Sequence, residues 1–82
     1  MNREWILQHL DEAHLELTRV IADIREKPDY GSGDLIAAMS HLYFHLNTAV
    51  NARLATEEEL RCFSDADFKK WSAFPIDIPL FE

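Results

Sequence analysis

Helix-breaking residues are confined to one short segment in the first two thirds of the chain. Between residues 3 and 54, every glycine and proline falls in residues 28–33, which read Pro-Asp-Tyr-Gly-Ser-Gly. Proline cannot continue a helix and glycine weakens one, so only the two flanking stretches are suited to helix formation. Six residues are enough to join two antiparallel helices. The chain is therefore predicted to begin with a pair of long helices and a short connector.

Apolar residues in both flanking stretches recur at alternating spacings of three and four, which is the repeat of one helix face. This pattern predicts helices over 3–26 and 34–54 that pack antiparallel along one seam. Pro28 ends the first helix, because it biases the residue before it away from the helical conformation. The seam is predicted to bury eight apolar side chains: Ile6, Leu10, Leu17, Ile24, Leu35, Met39, Leu42 and Leu46.

The remaining residues predict two short helices and an extended tail. A threonine at position 56 with a glutamate three residues later has the form of a capping box. A serine and an aspartate at 64 and 67 repeat this arrangement in a weaker form. We therefore predict helices at 57–62 and 65–72, and Pro75 then keeps the tail out of helical structure. Together with the hairpin, these segments predict a single all-α domain over residues 1–82.

The apolar face of the predicted hairpin is wider than a two-helix contact requires. A helix of 24 residues is about 36 Å long, so one short helix cannot cover it, whereas a second hairpin can. We therefore predict a homodimer that completes a helical bundle, since two-fold dimers are the commonest oligomers. Its contact is predicted to contain Leu7, Ile21, Ile36, Tyr43 and Val50, with Trp71 and Phe74 at the edge. In the competing monomeric arrangement, the five late aromatics fold over this flank: Phe63, Phe68, Trp71, Phe74 and Phe81.

Composition argues against several classes of partner. The formal net charge is −7 with eight Lys and Arg residues, and no basic stripe is present, so we expect no binding to nucleic acid. The same acidity disfavours an anionic membrane surface, and no apolar stretch approaches the roughly 20 residues of a membrane span. No secretory leader pattern is visible, and the single cysteine, Cys62, favours a reducing compartment. We therefore expect a cytoplasmic location.

All four histidines lie in the two long helices: His9, His14, His41 and His45. His41 and His45 are four residues apart and share a helix face, as metal-binding histidines often do. The predicted seam nevertheless sends these side chains in three directions: His9 and His45 border one side with Glu16, His14 borders the other side with Tyr43, and His41 points away with Glu12. In the simplest interpretation His45 pairs with Glu16, and His9 and His41 are solvated. Because these donors diverge, we predict no metal and no other cofactor. If a metal binds after all, His41 and His45 are the candidate ligands.

A second candidate site is a polar row on the second helix. Asn47 and Asn51 share a face near Tyr43 and Phe44, which together offer a place for a small polar ligand, although a solvated face is the simpler interpretation. No catalytic or phosphate-binding motif accompanies the serines or Cys62, so we do not expect an enzyme. The sequence therefore favours a small non-enzymatic interaction protein or accessory subunit that self-associates. A ligand-binding helical protein and a histidine-based metal-binding bundle remain the alternatives.

Overall fold

The computed structural model describes residues 1–61 and 65–75, and this part of the chain contains helices but no strand. In chain order the helices are α1 (Arg3–Glu26), α2 (Ser32–Asn51), α3 (Glu57–Arg61) and α4 (Asp65–Ser72). The prediction of an all-helical protein with a long helix pair is therefore confirmed. The extended tail predicted after Pro75 lies outside the described residues, as do Cys62, Phe63 and Phe81.

The connector between α1 and α2 follows the breaker residues. Lys27 adopts an extended backbone (φ −113°, ψ 103°), as expected for a residue that precedes proline. α2 begins two residues earlier than predicted, after Gly31 in an extended conformation. The Gly31 N–H donates to the Asp34 carboxylate at 3.0 Å. Because this bond satisfies a donor that the first turn would otherwise leave free, the helix can begin before the aspartate.

The side chain of Asn2 ties the start of α1 to the end of α2. Its Nδ2 lies 3.1 Å, 3.2 Å and 2.7 Å from the carbonyl oxygens of Ala52, Arg53 and Ala55, which follow the last residue of α2. The backbone N–H of Asn2 also donates to the Arg53 carbonyl at 3.1 Å. The two helices therefore run in opposite directions. The asparagine satisfies carbonyls at the end of α2 and makes no side-chain cap on α1.

Most of the buried side chains in the two long helices are small or polar. The buried residues of α1 and of the α2 region are Ala13, Val20, Leu42, His45, Asn47, Thr48, Ala49 and Ala52. Among the eight residues predicted for the core, Leu42 is buried, and Ile6 and Met39 are half-buried. The other five predictions are wrong, because these side chains are exposed: Leu10, Leu17, Ile24, Leu35 and Leu46.

A rotation of the contacting faces explains these errors. On α1 the observed seam, defined as residues 6, 9, 13, 16 and 20, keeps residues 6, 13 and 20 of the predicted seam (6, 10, 13, 17, 20 and 24), and its spacing is again three and four. Apolar periodicity therefore could not distinguish the two seams. The distance between packed helices depends on the side chains at the contact, and alanines at 13 and 49 allow a close approach. The larger leucines are left on one flank of the pair.

α4 packs against α2 and brings Trp71 into the interior. The Trp71 side chain is 3% exposed, and its ring lies 6.4 Å from that of Trp5 in an edge-on arrangement. The sequence analysis placed Trp71 at the edge of a dimer contact, and the structure instead buries it within its own chain. Within the part of the chain that is described, no helix has the length and apolarity needed to cross a membrane.

Candidate functional site

Three of the four histidines come together on one edge of the helix pair. The Nδ1 atoms of His9 on α1 and His45 on α2 are 2.9 Å apart. The His41 ring lies one turn away on α2, with its centroid 4.8 Å from that of His45. The Nδ1 atom of His41 is 3.5 Å from the Glu16 carboxylate. We refer to His9, Glu16, His41 and His45 as the histidine cluster.

The rotated seam produces this cluster. His9 lies between residues 6 and 13 of the α1 seam, and His45 lies one turn from both Leu42 and Ala49 on α2. The predicted pairing of His45 with Glu16 is therefore wrong, as is the prediction that His9 is solvated. His45 meets His9 instead, and Glu16 meets His41. The remaining histidine, His14, is exposed on α1.

Aromatic rings enclose the histidine pair. The Trp5 ring centroid lies 4.8 Å from that of His9, and the Phe44 ring lies 5.9 Å from His9 and 5.0 Å from His45. Among the described residues, two buried polar groups have no hydrogen-bond partner: the indole Nε1 of Trp5 and the hydroxyl of Thr48. The two imidazoles are thus removed from most of the water that would stabilise a positive charge.

Burial lowers the pKa of both imidazoles. For His9, burial has the largest effect, the charge of His45 adds to it, and Glu12 opposes it. For His45, burial again comes first, His41 lowers the pKa further, and Glu12 and Glu16 oppose these effects. Two neutral imidazoles can share a hydrogen bond, since one ring nitrogen donates and the other accepts. The geometry and the pKa shifts together favour a neutral pair at neutral pH.

The cluster offers nitrogen donors from two helices, which is one requirement of a metal site in a helical bundle. In residues 1–61 and 65–75, however, no group of three or more His, Cys, Asp or Glu side chains is arranged so that it could hold a metal ion. Glu16 is already engaged, since its carboxylate also accepts from Arg19 at 3.1 Å. What the described arrangement can do is form hydrogen bonds and take up protons.

The amide row on α2 holds α4 in place. The Nδ2 of Asn47 donates to the Ser72 carbonyl at 2.9 Å, and that of Asn51 lies 2.6 Å from the carbonyls of both Trp71 and Ala73. Carbonyls at a helix C-terminus lack partners within the helix, so these amides satisfy groups that would otherwise need water. The expectation of a solvated face is wrong for Asn47, which is buried.

The four residues considered for a ligand site do not face one cavity. The Phe44 ring contacts the histidine pair, whereas the Tyr43 ring packs against Phe74 at 5.3 Å. A surface cavity of about 380 Å³ beside the end of α4 is lined by Asn51, Trp71 and Phe74, with Lys70 and Ala73. At this cavity, the Asn51 amide already donates to backbone carbonyls.

Replacing Asn51 with Ala should destabilise the protein by about 1–3 kcal/mol, because two carbonyls at the end of α4 lose their donor. Urea unfolding followed by circular dichroism measures the change. Ser40→Ala is the matched control, since it removes an exposed hydroxyl of α2 that bonds only within its own helix, to the Ile36 carbonyl. An Asn51→Ala protein as stable as the control would contradict the role assigned to this amide.

Comparison of the chain with protein-family models, with curated proteins and with solved structures finds no match. The functional argument is therefore made from two features of the molecule itself. One is the histidine cluster, and the other is the flank on which the large aliphatic residues are exposed.

Proposed function

We propose that this chain is a small non-enzymatic interaction protein that self-associates as a homodimer, with the cytoplasm as its expected compartment. The observation that supports this proposal is the distribution of small and large side chains between the interior and the surface of the helix pair. Apart from Val20 and Leu42, the side chains buried in α1, in α2 and just after α2 are Ala, Thr, Asn or His, while many large apolar side chains are exposed. We call the exposed set the aliphatic face, and it comprises Leu7, Leu10, Leu17, Ile21, Ile24, Leu35, Ile36, Tyr43 and Leu46.

The aliphatic face is continuous over both long helices. On α1, residues of the aliphatic face come one position after residues of the seam in the sequence; Leu10, for example, comes directly after His9. On α2 the relation is the same, as Leu46 follows His45. The two helices are antiparallel, so residues that come one position after the seam lie on the same flank of the pair in both helices. Exposed apolar patches of this kind are typical of protein–protein contacts.

A second copy of the chain is the partner that best fits this face. Two chains of net charge −7 repel each other, and the repulsion is weakest along a contact without acidic residues; the stripe at 7, 10, 14, 17, 21 and 24 contains no Asp or Glu. The matching stripe at 36, 39, 43, 46 and 50 contains none either. A two-fold contact needs a surface that is complementary to itself, and a long uncharged apolar face satisfies that condition. The net charge also supports a protein partner over a nucleic acid.

Within one chain, the described helix α4 does not compete for this face. It is eight residues long, or about 12 Å, and the amides of Asn47 and Asn51 hold its C-terminal end on α2. α1 is 24 residues, or about 36 Å, so its stripe is roughly three times as long. A second helix pair supplies two helices of matching length, and the result is a four-helix bundle.

Sedimentation equilibrium at micromolar concentration tests the proposal. The wild-type protein should give about twice the 9.5 kDa mass of the chain. Ile21→Glu, which places a carboxylate at the middle of the aliphatic face, should shift the protein to the single-chain mass. Leu15→Glu is the matched control, because Leu15 is 55% exposed on α1 but lies outside the stripe, and it should leave the dimer intact.

The alternative, in which the chain covers its own flank, gives a different result. The wild-type protein would then sediment at 9.5 kDa, and Ile21→Glu would reduce helicity without any change of oligomeric state. That pair of outcomes would overturn the proposed self-association. A folded, monomeric Ile21→Glu protein beside a dimeric wild type would support it.

A further inference from the structure

We propose that the His9–His45 pair is a proton-responsive clasp that holds α1 against α2 while both imidazoles are neutral and loosens the helix pair when they are protonated. The inference begins from the 2.9 Å separation of the two Nδ1 atoms. At that distance one nitrogen must donate a proton and the other must accept it. Protonation of both rings leaves two donors facing each other and no acceptor between them.

The surroundings of the pair make this change costly. His45 is buried and His9 is half-buried, and the rings of Trp5 and Phe44 lie against them. Apolar walls screen two positive charges far less than water does. Moving apart relieves the repulsion within a doubly protonated pair, and the two rings belong to different helices.

Some charged groups around the pair favour its protonation, and others oppose it. From α1, the carboxylates of Glu12 and Glu16 favour protonation, whereas His41 on α2 opposes it. Glu16 is shared with Arg19 and His41, which reduces the negative charge available to the pair. From α4, the nearest described ring is that of Trp71, which is uncharged and contacts Trp5.

Burial outweighs the carboxylates, so the pKa values of His9 and His45 both lie below the ordinary histidine value. The folded chain then binds fewer protons than the unfolded chain between about pH 6.5 and the lowered pKa values. Over that interval stability falls as the pH falls, and above about pH 6.5 the full contribution of the clasp is present. The helix pair is therefore stable at neutral pH and loosens under mildly acidic conditions.

The clasp is separate from the proposed dimer contact. The aromatic residues that enclose the pair come one position before seam residues in the sequence. Trp5 comes before Ile6, and Phe44 comes before His45. The aliphatic face follows the seam by one position, so the cluster edge and the aliphatic face lie on opposite flanks.

Thermal unfolding at about pH 7.5 and about pH 5.5 tests the clasp in the full chain, with a chelator present so that adventitious metal does not contribute. His45→Asn keeps a hydrogen-bonding group near the position of Nδ1 but cannot take up a proton. Between about pH 7.5 and about pH 5.5, the Tm of the wild type should fall by about 5 °C or more beyond any fall in the Tm of His45→Asn. A modest change in stability gives a shift of this size in a domain this small. The control His14→Asn removes an exposed histidine outside the cluster and should behave as the wild type.

Two further measurements keep the inference falsifiable if His45→Asn folds poorly. Ring nitrogen chemical shifts of the wild type should show His9 and His45 titrating below about pH 6.5. In an Ile21→Glu background, which separates the clasp from self-association, the pH dependence of Tm should persist. An equal pH dependence in wild type and His45→Asn, ordinary titration of both rings, or loss of the pH effect in Ile21→Glu would each overturn the clasp.

Discussion

Leu42→Ala should lower the free energy of unfolding by about 2–5 kcal/mol, the range measured for buried leucines. Leu42 is 8% exposed and belongs, with Ala13 and Val20, to the buried core of the helix pair. Its removal leaves a cavity that neighbouring alanines are too small to fill. Urea denaturation at a fixed protein concentration gives the change in unfolding free energy.

Leu17→Ala is the informative comparison for this prediction. Leu17 is 43% exposed within one chain, so in a monomer its truncation should cost less than that of Leu42. In the proposed dimer it belongs to the aliphatic face, so its truncation should weaken association and make Tm less dependent on protein concentration than in the wild type. If both variants lost the same amount of stability at every protein concentration, that result would contradict the rotated seam and support the core expected from the sequence.

Some helix ends were predictable because local chemistry determines them, whereas α2 was predicted over 34–54 and extends over Ser32–Asn51. Pro28 fixes the end of α1, and the capping box at Thr56 and Glu59 forms as expected, with bonds of 3.1 Å and 3.2 Å between backbone and side chains. These signals depend on residues close in sequence, so no tertiary information is needed to interpret them.

The seam was not predictable from periodicity alone. The predicted stripe of α1 and the observed seam share Ile6, Ala13 and Val20. A hydrophobicity argument adds Leu10 and Leu17, whereas the structure exposes these two leucines and brings His9 and Glu16 against α2 instead. The signal available in the sequence was the size of the side chains, since closely packed helices require small residues at the contact.

The histidine cluster depended on that same choice. Once the seam passes through residues 6, 9 and 13, His9 must face α2, and the antiparallel register brings His45 opposite it. The sequence analysis assigned His45 to Glu16 because it assumed the leucine stripe. The role of Asn47 and Asn51 was out of reach for another reason: it depends on where α4 docks, and that is a tertiary contact with no local signal.

Trp71→Ala should have an effect as large as that of the core leucine, with a loss of about 3–5 kcal/mol. The Trp71 side chain is 3% exposed and joins α4 to Trp5 at the start of α1, while its backbone carbonyl accepts from Asn51. Truncation therefore removes the anchor by which α4 covers this end of the helix pair. The effect should be local first, because α4 packs on α2 and the contact between α1 and α2 does not require it.

Hydrogen exchange distinguishes local from global loss in this variant. Amides of Asp65–Ser72 should exchange much faster in Trp71→Ala, and those in the middle of α2 should keep most of their protection. Phe74→Ala is the matched control, because it removes a nearby aromatic ring whose residue is 58% exposed, and it should cost far less. Since α4 is held by three amide–carbonyl contacts as well as by Trp71, an unchanged exchange pattern in Trp71→Ala would mean that Asn47 and Asn51 alone hold the helix. The burial of the indole would then contribute little to the fold.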